Sequence, residues 1–341
     1  MILMASYKFI DEATLLAKAS MPWTEKYRPQ LLSQLVSHED ISRILSRLIS
    51  KNNFPHLLLQ GPPGTGKTTT ILACAKQMYG SSYQSMVLEL NGSDDRGINV
   101  VRNQIDHFAT NNNMEADIFN TNKKKQKLVI LDEADSMTMD AQFALRNVIQ
   151  TNTKTTRFCL ICNYSKKISN SLKSRCSQFR FPPIPHDHHM AHINSIINFE
   201  HINIDEVCKE HIVEMSMGDM RRSINILQSL TMVYRSKHIT LDMLYENICY
   251  PLPDDMNNII TNIFTLKLKQ SFLYAKNLEN SKSLNVNDIL DAIIKYIIKE
   301  KPYGVAKVAR VIGQLSEIEQ NLSANTNPLI QLCGAIAILK V

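Results

Sequence analysis

The chain has 341 residues, of which 44% are hydrophobic, with a formal net charge of +6 and seven cysteines. That length exceeds one domain and predicts two or three cores, and the mild basicity suits an anionic partner without naming one. No stretch reaches the roughly eighteen uninterrupted apolar residues of a membrane span, which excludes that class.

The first stretch, MILMASYKFIDEATLLAKAS, is interrupted by Asp11 and Glu12 and has no leading basic segment. Residues 1–20 are therefore expected to form an amphipathic N-terminal extension, not a signal peptide. Up to about residue 185, short apolar runs alternate with helix-period segments: HLLLQ, TTTILACAKQMY, SMVLELN, a long helical stretch, KLVILDEAD, DAQFALRNVIQ and TRFCLICNY. Such alternation predicts a mostly parallel sheet covered on both faces. The runs LLL, VLEL, LVIL and FCLIC have the continuous hydrophobicity of strands buried on both sides. Cys159 and Cys162 share one of these runs and read as small buried hydrophobes, not as a zinc or redox pair. The scattered cysteines point to a reducing compartment, and with neither a signal peptide nor a membrane span expected the chain reads as a soluble intracellular protein. The polar segment 111–127, NNNMEADIFNTNKKKQK, reads as a solvated loop, with a nucleic-acid contact as the alternative.

After QFRF the residues PPIP form a stiff break that neither a helix nor a central strand tolerates, so a boundary is expected near residue 185. From there to about 250 the spacing of His211, Ile212 and Met215, then of Ile224, Ile226 and Leu227, predicts small packed helices. PLPDD at 251–255 is a second break, and the rest is helical. Ile289, Leu290, Ile293, Ile294, Ile297 and Ile298 lay one apolar stripe along a helix. Asn327 and Pro328 form a cap and first-turn pair for a helix running through Leu339. Such stripes suit core packing and, at the chain's end, equally an oligomer interface.

The chemistry begins at GPPGTGKT, Gly61 to Thr68, which matches the phosphate-binding pattern G-x-x-x-x-G-K-[ST] with a strand before it and a helix after it. Gly61, Gly64 and Gly66 let the backbone curl so that N–H groups converge on a β-phosphate. Pro62, Pro63 and Thr65 complete the loop, Thr69 follows it, and the helix start adds its positive end. Lys67 is expected to reach the β- and γ-phosphates of ATP, and Thr68 to offer its hydroxyl to Mg²⁺. At the end of KLVILDEAD, Asp132 is placed to hold the Mg²⁺ shell and Glu133 to polarise a water for in-line attack, giving ADP and phosphate. Without a phosphate loop, such a pair would be an ordinary loop feature. Asn163, ending FCLICN, is a turn residue by itself; after the loop and the acidic pair it becomes a candidate to bridge the attacking water and the γ-phosphate.

PWTEKYRP, GPPGTGKT, LELNGSDDRGI, ILDEAD, FCLICNY, SRC and GDMRR occur in the order found in small subunits of replication factor C, the AAA+ ATPases of the eukaryotic sliding-clamp loader. The resemblance runs from about Pro22 to at least Gln228, and SHEDI, LACAKQMY and SMVLEL resemble one branch of those subunits in particular. It implies an α/β fold: an AAA+ P-loop NTPase core with a parallel sheet over 1–185, a small helical lid domain over 186–250 and an all-helical collar over 251–341. It implies that Arg175 of SRC reaches, in trans, the γ-phosphate of ATP on a neighbouring subunit, and that Arg221 of GDMRR, at the start of a lid helix, reaches the γ-phosphate of its own chain. Taken alone, Arg175 with Lys173 and Arg180 would be a solvated turn, and Arg221 and Arg222 an exposed helix face. Thr24, Arg28 and Val36 match positions bordering adenine and ribose, with Tyr27 close by, although core packing suits Tyr27 and Val36 equally.

The resemblance further implies a nuclear hetero-pentamer with four related subunits that loads the PCNA clamp at primer–template DNA, in replication and repair, through backbone contacts and with no membrane role. Two alternatives belong to other classes: a nucleotide-binding structural subunit that turns over little and supplies Arg175, and a homo-hexameric AAA+ DNA helicase. The sequence departs from the family where Asn147 and Gln150 replace an arginine and a glutamate, which weakens a DNA contact from that helix. Gly92 replaces an alanine, and the 111–127 loop is longer than usual. None of these departures is expected to touch the ATPase residues.

Overall fold

The computed structural model describes residues 21–35, 37–51, 53–93, 104–105, 107–109, 126–235, 237–248, 250, 252–282, 285–300, 304–324 and 326–340. The N-terminal extension, Val36 and residues 111–125 of the polar loop lie outside the described residues. The chain divides into two compact units, Met1–Ile239 and Thr240–Val341.

In the first unit, β1 (Leu57–Gln60), β2 (Val87–Asn91), β3 (Lys127–Asp132), β4 (Thr156–Cys162) and β5 (Ser177–Arg180) form a five-stranded sheet in the order β2-β3-β4-β1-β5. Every pairing is parallel. The continuous apolar runs divide by the two-residue period of a strand. Leu57, Leu59, Ile130, Cys159 and Ile161 enter one core, with Ile71 and Cys74. Leu58, Val129, Leu131, Phe158 and Leu160 enter the other, with Leu145 and Ile149. A strand buried on both faces has no polar positions to spare, which is why these runs do not alternate in sequence. Each fully buried leucine or isoleucine contributes about 1.5–3 kcal/mol of transfer free energy.

The helices of this unit include α1 (Trp23–Lys26), α2 (Glu39–Ser50), α3 (Lys67–Tyr79), α4 (Tyr83–Met86), α5 (Met139–Asn152) and α6 (Asn170–Lys173). They are followed by α7 (His186–Glu200), α8 (Glu206–Ser216) and α9 (Met220–Tyr234). The prolines of PPIP precede α7 without entering it, as their missing N–H and locked φ require. Buried Ile193, Ile196, Cys208, Ile212, Ile224 and Leu227 come from these last three helices. Because all five strands point the same way, the segments leaving β1, β3 and β4 emerge on one edge of the sheet, where open α/β folds place ligands.

The second unit contains α10 (Leu241–Ile248), α11 (Pro253–Thr265), α12 (Leu268–Lys282), α13 (Val286–Glu300), α14 (Val305–Ser323) and α15 (Pro328–Lys340). Its core gathers Ile259, Ile263, Ile289, Leu290, Ile293, Ile297, Leu315 and Ile336. The apolar stripe on α13 is narrower than its sequence: Ile294 is partly buried and Ile298 is 55% exposed. Asn327 caps α15, its Oδ1 accepting the N–H groups of Leu329 and Ile330 at 3.0 and 3.3 Å. Among the described residues, no helix is long and apolar enough to cross a membrane.

Candidate active site

The loop GPPGTGKT joins β1 to α3. Gly64 and Gly66 have φ of +65° and +88°, values that side-chain-bearing residues adopt at a cost. Gly66 is the N-cap residue of α3, so the helix starts at Lys67 with its first N–H groups turned to the loop. Lys67 is buried, and its Nζ donates to the carbonyl oxygens of Gly61 (2.8 Å) and Pro62 (2.6 Å) and to Asn163 Oδ1 (2.9 Å). Burial pulls the ammonium's pKa down, and the neighbouring Asp132 opposes that shift. A cation held in partly desolvated surroundings favours an anionic partner, and a phosphate satisfies it.

Asp132 ends β3. Its Oδ2 accepts the Thr68 hydroxyl at 2.7 Å, and its Oδ1 accepts the Glu133 N–H at 2.8 Å. Thr68 and Asp132 thus offer two hard oxygens side by side, the donor type that Mg²⁺ shares with phosphates. Glu133 has a φ of +50° and is exposed at the start of a short turn. Glu133 borders the same cavity as Asp132. Asn163 follows β4, so the Lys67–Asn163 bond links the residues after two neighbouring strands.

These groups line a cavity of about 200 Å³. Among the expected residues, Thr24, Arg28, Pro63, Gly64, Thr65, Gly66, Lys67, Thr68, Thr69, Asp132, Glu133, Asn163 and Arg221 all border it. Gly61 and Pro62 instead face an adjoining open groove with Tyr164 and Arg180. Arg175 borders neither; it is exposed, and its Nη1 donates to Ser171 O at 2.9 Å. Val36 lies outside the described residues.

Tyr27 serves packing and cavity together. It borders the cavity, its ring meets Trp23 and Phe199 edge to face at 6.1 and 5.9 Å, and its hydroxyl donates to Glu200. Lys26 also binds Glu200, and the Trp23 N–H donates to Gln228 Oε1 at 3.0 Å. The WTEKYRP segment is thereby tied to α7 and α9.

Gly92 corrects one expectation. Its N–H donates to Asp132 O at 2.8 Å, and a Cβ there would come within 2.8 Å of the Glu133 carbonyl oxygen. This departure therefore abuts the backbone of the acidic pair, and glycine's lack of a side chain is what allows the approach. Sequence reasoning also missed Gln142, buried on α5. Its Nε2 donates to Met137 O (3.3 Å) and Lys167 O (3.0 Å), and its Oε1 accepts the Ser169 N–H (2.8 Å). A buried glutamine in an amphipathic helix looks like a misplaced surface residue; only its distant partners show its purpose. Asp135 is a second case, its Oδ2 accepting the N–H of Tyr164, next to Asn163, at 3.0 Å. Cys159 and Cys162 lie buried in β4, burial pushing the Cys162 thiol up to about 11 and the Cys159 thiol well above its ordinary value, which keeps both protonated.

A parallel sheet with a phosphate loop after β1, an acidic pair after β3 and a polar residue after the strand between them defines a P-loop nucleotide-binding protein of the AAA class. The ATPase family associated with various cellular activities (AAA) matches residues 57–183, and the replication factor C C-terminal domain matches residues 251–337. Replication factor C subunit 5 of Homo sapiens is 43% identical over 94% of this chain and 92% of its own length. Replication factor C subunit 3 of Schizosaccharomyces pombe is 41% identical over 95% of this chain and 92% of its own. The fold is also similar to that of the Thermotoga maritima RuvB Holliday junction branch migration motor, with a TM-score of 0.50 and 17% identity over 78% of this chain and 85% of that one. The chain belongs to the replication factor C family, in the branch whose members are called subunit 3 or subunit 5.

Proposed function

We propose that this chain is an ATP-hydrolysing subunit of the sliding-clamp loader, working in the nucleus with four related subunits to load PCNA at primer–template junctions in replication and repair. The observation that carries the hydrolytic reading is the convergence of Lys67, Thr68, Asp132, Glu133 and Asn163 around one cavity. In this reading the loop N–H groups and Lys67 hold the β- and γ-phosphates of ATP, and Thr24 and Arg28 border the adenine and ribose. Thr68 and Asp132 would hold Mg²⁺, which would supply positive charge to offset that of the phosphates. Glu133 polarises a water that Asn163 orients; the water attacks the γ-phosphorus, and the bond to the ADP oxygen breaks. Arg221 offsets the charge developing on the γ-phosphate of its own chain.

Arg175 acts on a neighbour's nucleotide. Its exposure and its place outside its own chain's cavity support that role. Charge supplied across a boundary stabilises the transition state only in the assembled ring, so turnover is tied to assembly. DNA is held through its phosphate backbone, for which the net charge of +6 is adequate. The domain division in this reading is 1–185, 186–250 and 251–341.

The test is clamp loading onto primed DNA by the reconstituted complex carrying Lys67→Ala in this chain. The expected result is nucleotide affinity at this site lowered on the order of 100-fold, with impaired loading. Unchanged affinity would remove the phosphate-loop assignment.

A further inference from the structure

Asp219 stands at a seam within the first unit, between the phosphate loop and α9. It is the N-cap residue of that helix, its Oδ1 accepting the N–H groups of Arg221 at 2.9 Å and Arg222 at 3.2 Å. The next residue, Met220, donates its N–H to Gly64 O at 3.3 Å. On the loop side the carboxylate lies so close that a Cβ on Gly64 would come within 1.6 Å of Asp219 Oδ1. The start of α9 therefore rests directly on the phosphate loop, and Gly64 makes room for it.

We propose that Asp219 is a positioning residue that docks α9 on the phosphate loop and thereby sets the aim of Arg221. This rests on the reading of Arg221 as a contact to the γ-phosphate of its own chain. The first four N–H groups of a helix lack partners within it, and a carboxylate at the N-cap satisfies two of them here while favouring the positive helix end. Arg221 lies within that first turn, so the turn's backbone decides where its Cβ points. Its side chain is exposed and borders the cavity, so its direction depends on the backbone beneath it. A frayed first turn would leave Arg221 in place along the chain but no longer aimed. The same carboxylate contacts Gly64, so a shift of the loop on binding nucleotide is passed to the helix that carries Arg221.

The experiment is a double-mutant cycle on ATP hydrolysis by the reconstituted complex, with kcat and KM separated. The turnover removed by Lys67→Ala defines this chain's share. Asp219→Asn keeps an acceptor at the cap and is expected to stay within about twofold of wild type. Asp219→Ala is expected to lower kcat about tenfold, as the loss of one cap interaction converts to rate. The double variant Asp219→Ala with Arg221→Ala should be no slower than Arg221→Ala alone, because both changes remove one function. If Asp219→Ala does not fold, Asp219→Glu, which keeps the charge and spoils the cap geometry, takes its place in the cycle with the same expected pattern. Wild-type rates for the cap variant, or losses that multiply in the double variant while Arg221→Ala is itself impaired, would overturn the inference. If Arg221→Ala behaves as wild type, the γ-phosphate reading of Arg221 fails and this inference falls with it.

Discussion

The sheet unit and the C-terminal helical unit draw on the same apolar residues and organise them differently. In the sheet, five parallel strands all end on one edge, so the residues that follow the apolar runs are brought together. Lys67, Asp132 and Asn163 come from separate segments and meet within hydrogen-bond distance of Lys67 or Thr68. In the helical unit, Ile259, Ile293, Leu315 and Ile336 meet in one core, and among the described residues of its core cluster none is charged. Histidine is divided in the same way: all ten lie before Thr240. A parallel sheet concentrates chemistry because its direction is common to every strand, whereas packed helices share a core and no common edge.

That contrast can be tested from both sides. The largest effect is expected from Glu133→Gln, which removes the carboxylate proposed to polarise water. Hydrolysis at this site should fall by about 10²–10⁴-fold with nucleotide binding retained, measured by single-turnover kinetics beside equilibrium binding. A loss of binding instead would make Glu133 a structural residue. Next is Ile293→Ala, fully buried in the helical unit. It should destabilise that unit by about 2–5 kcal/mol in urea denaturation and leave nucleotide affinity in the sheet unit unchanged. If affinity drops as well, the two regions are not separable in the way described.

The smallest effect is acid sensitivity confined to the sheet unit. Burial, the main cause, holds His56 and His189 at about 4, below the ordinary 6.5. Between those values the unfolded chain binds protons that the folded chain refuses, so stability is full above pH 6.5, falls as the pH drops through the window and levels off below about 4. The loss between pH 6.5 and 5 should be roughly 3 kcal/mol for the two histidines together, read from denaturation of each unit by site-specific fluorescence. Equal losses in the histidine-free helical unit would assign the effect to carboxylates.

The site was legible where it is local. GPPGTGKT is one contiguous stretch whose glycines and lysine have no simpler use, and Asp132, Glu133 and Asn163 could be read because each directly follows an apolar strand run. Arg175, Arg221, Thr24 and Arg28 needed a resemblance, since an exposed arginine or threonine has an ordinary surface use. Asp219, Gln142 and Glu200 were not legible. Their partners, Gly64, Lys167 and Tyr27, are far away in sequence, and no periodicity links a cap residue to a loop met only after folding. Gly92 was misjudged for the same reason, because its neighbour across the sheet edge is the backbone of Glu133. The fold was easier, because both the buried strands and the capped helix at Asn327 carry their cause in adjacent residues.

The most direct test of the account is steady-state ATP hydrolysis by the reconstituted complex, with clamp and primed DNA, comparing wild type with Arg175→Ala while nucleotide binding by this chain is measured in the same preparation. Hydrolysis is expected to fall on the order of 10³-fold at the neighbouring site while this chain still binds ATP normally. Unchanged hydrolysis in an intact complex would contradict it and reduce SLKSRCSQFRF to a basic turn.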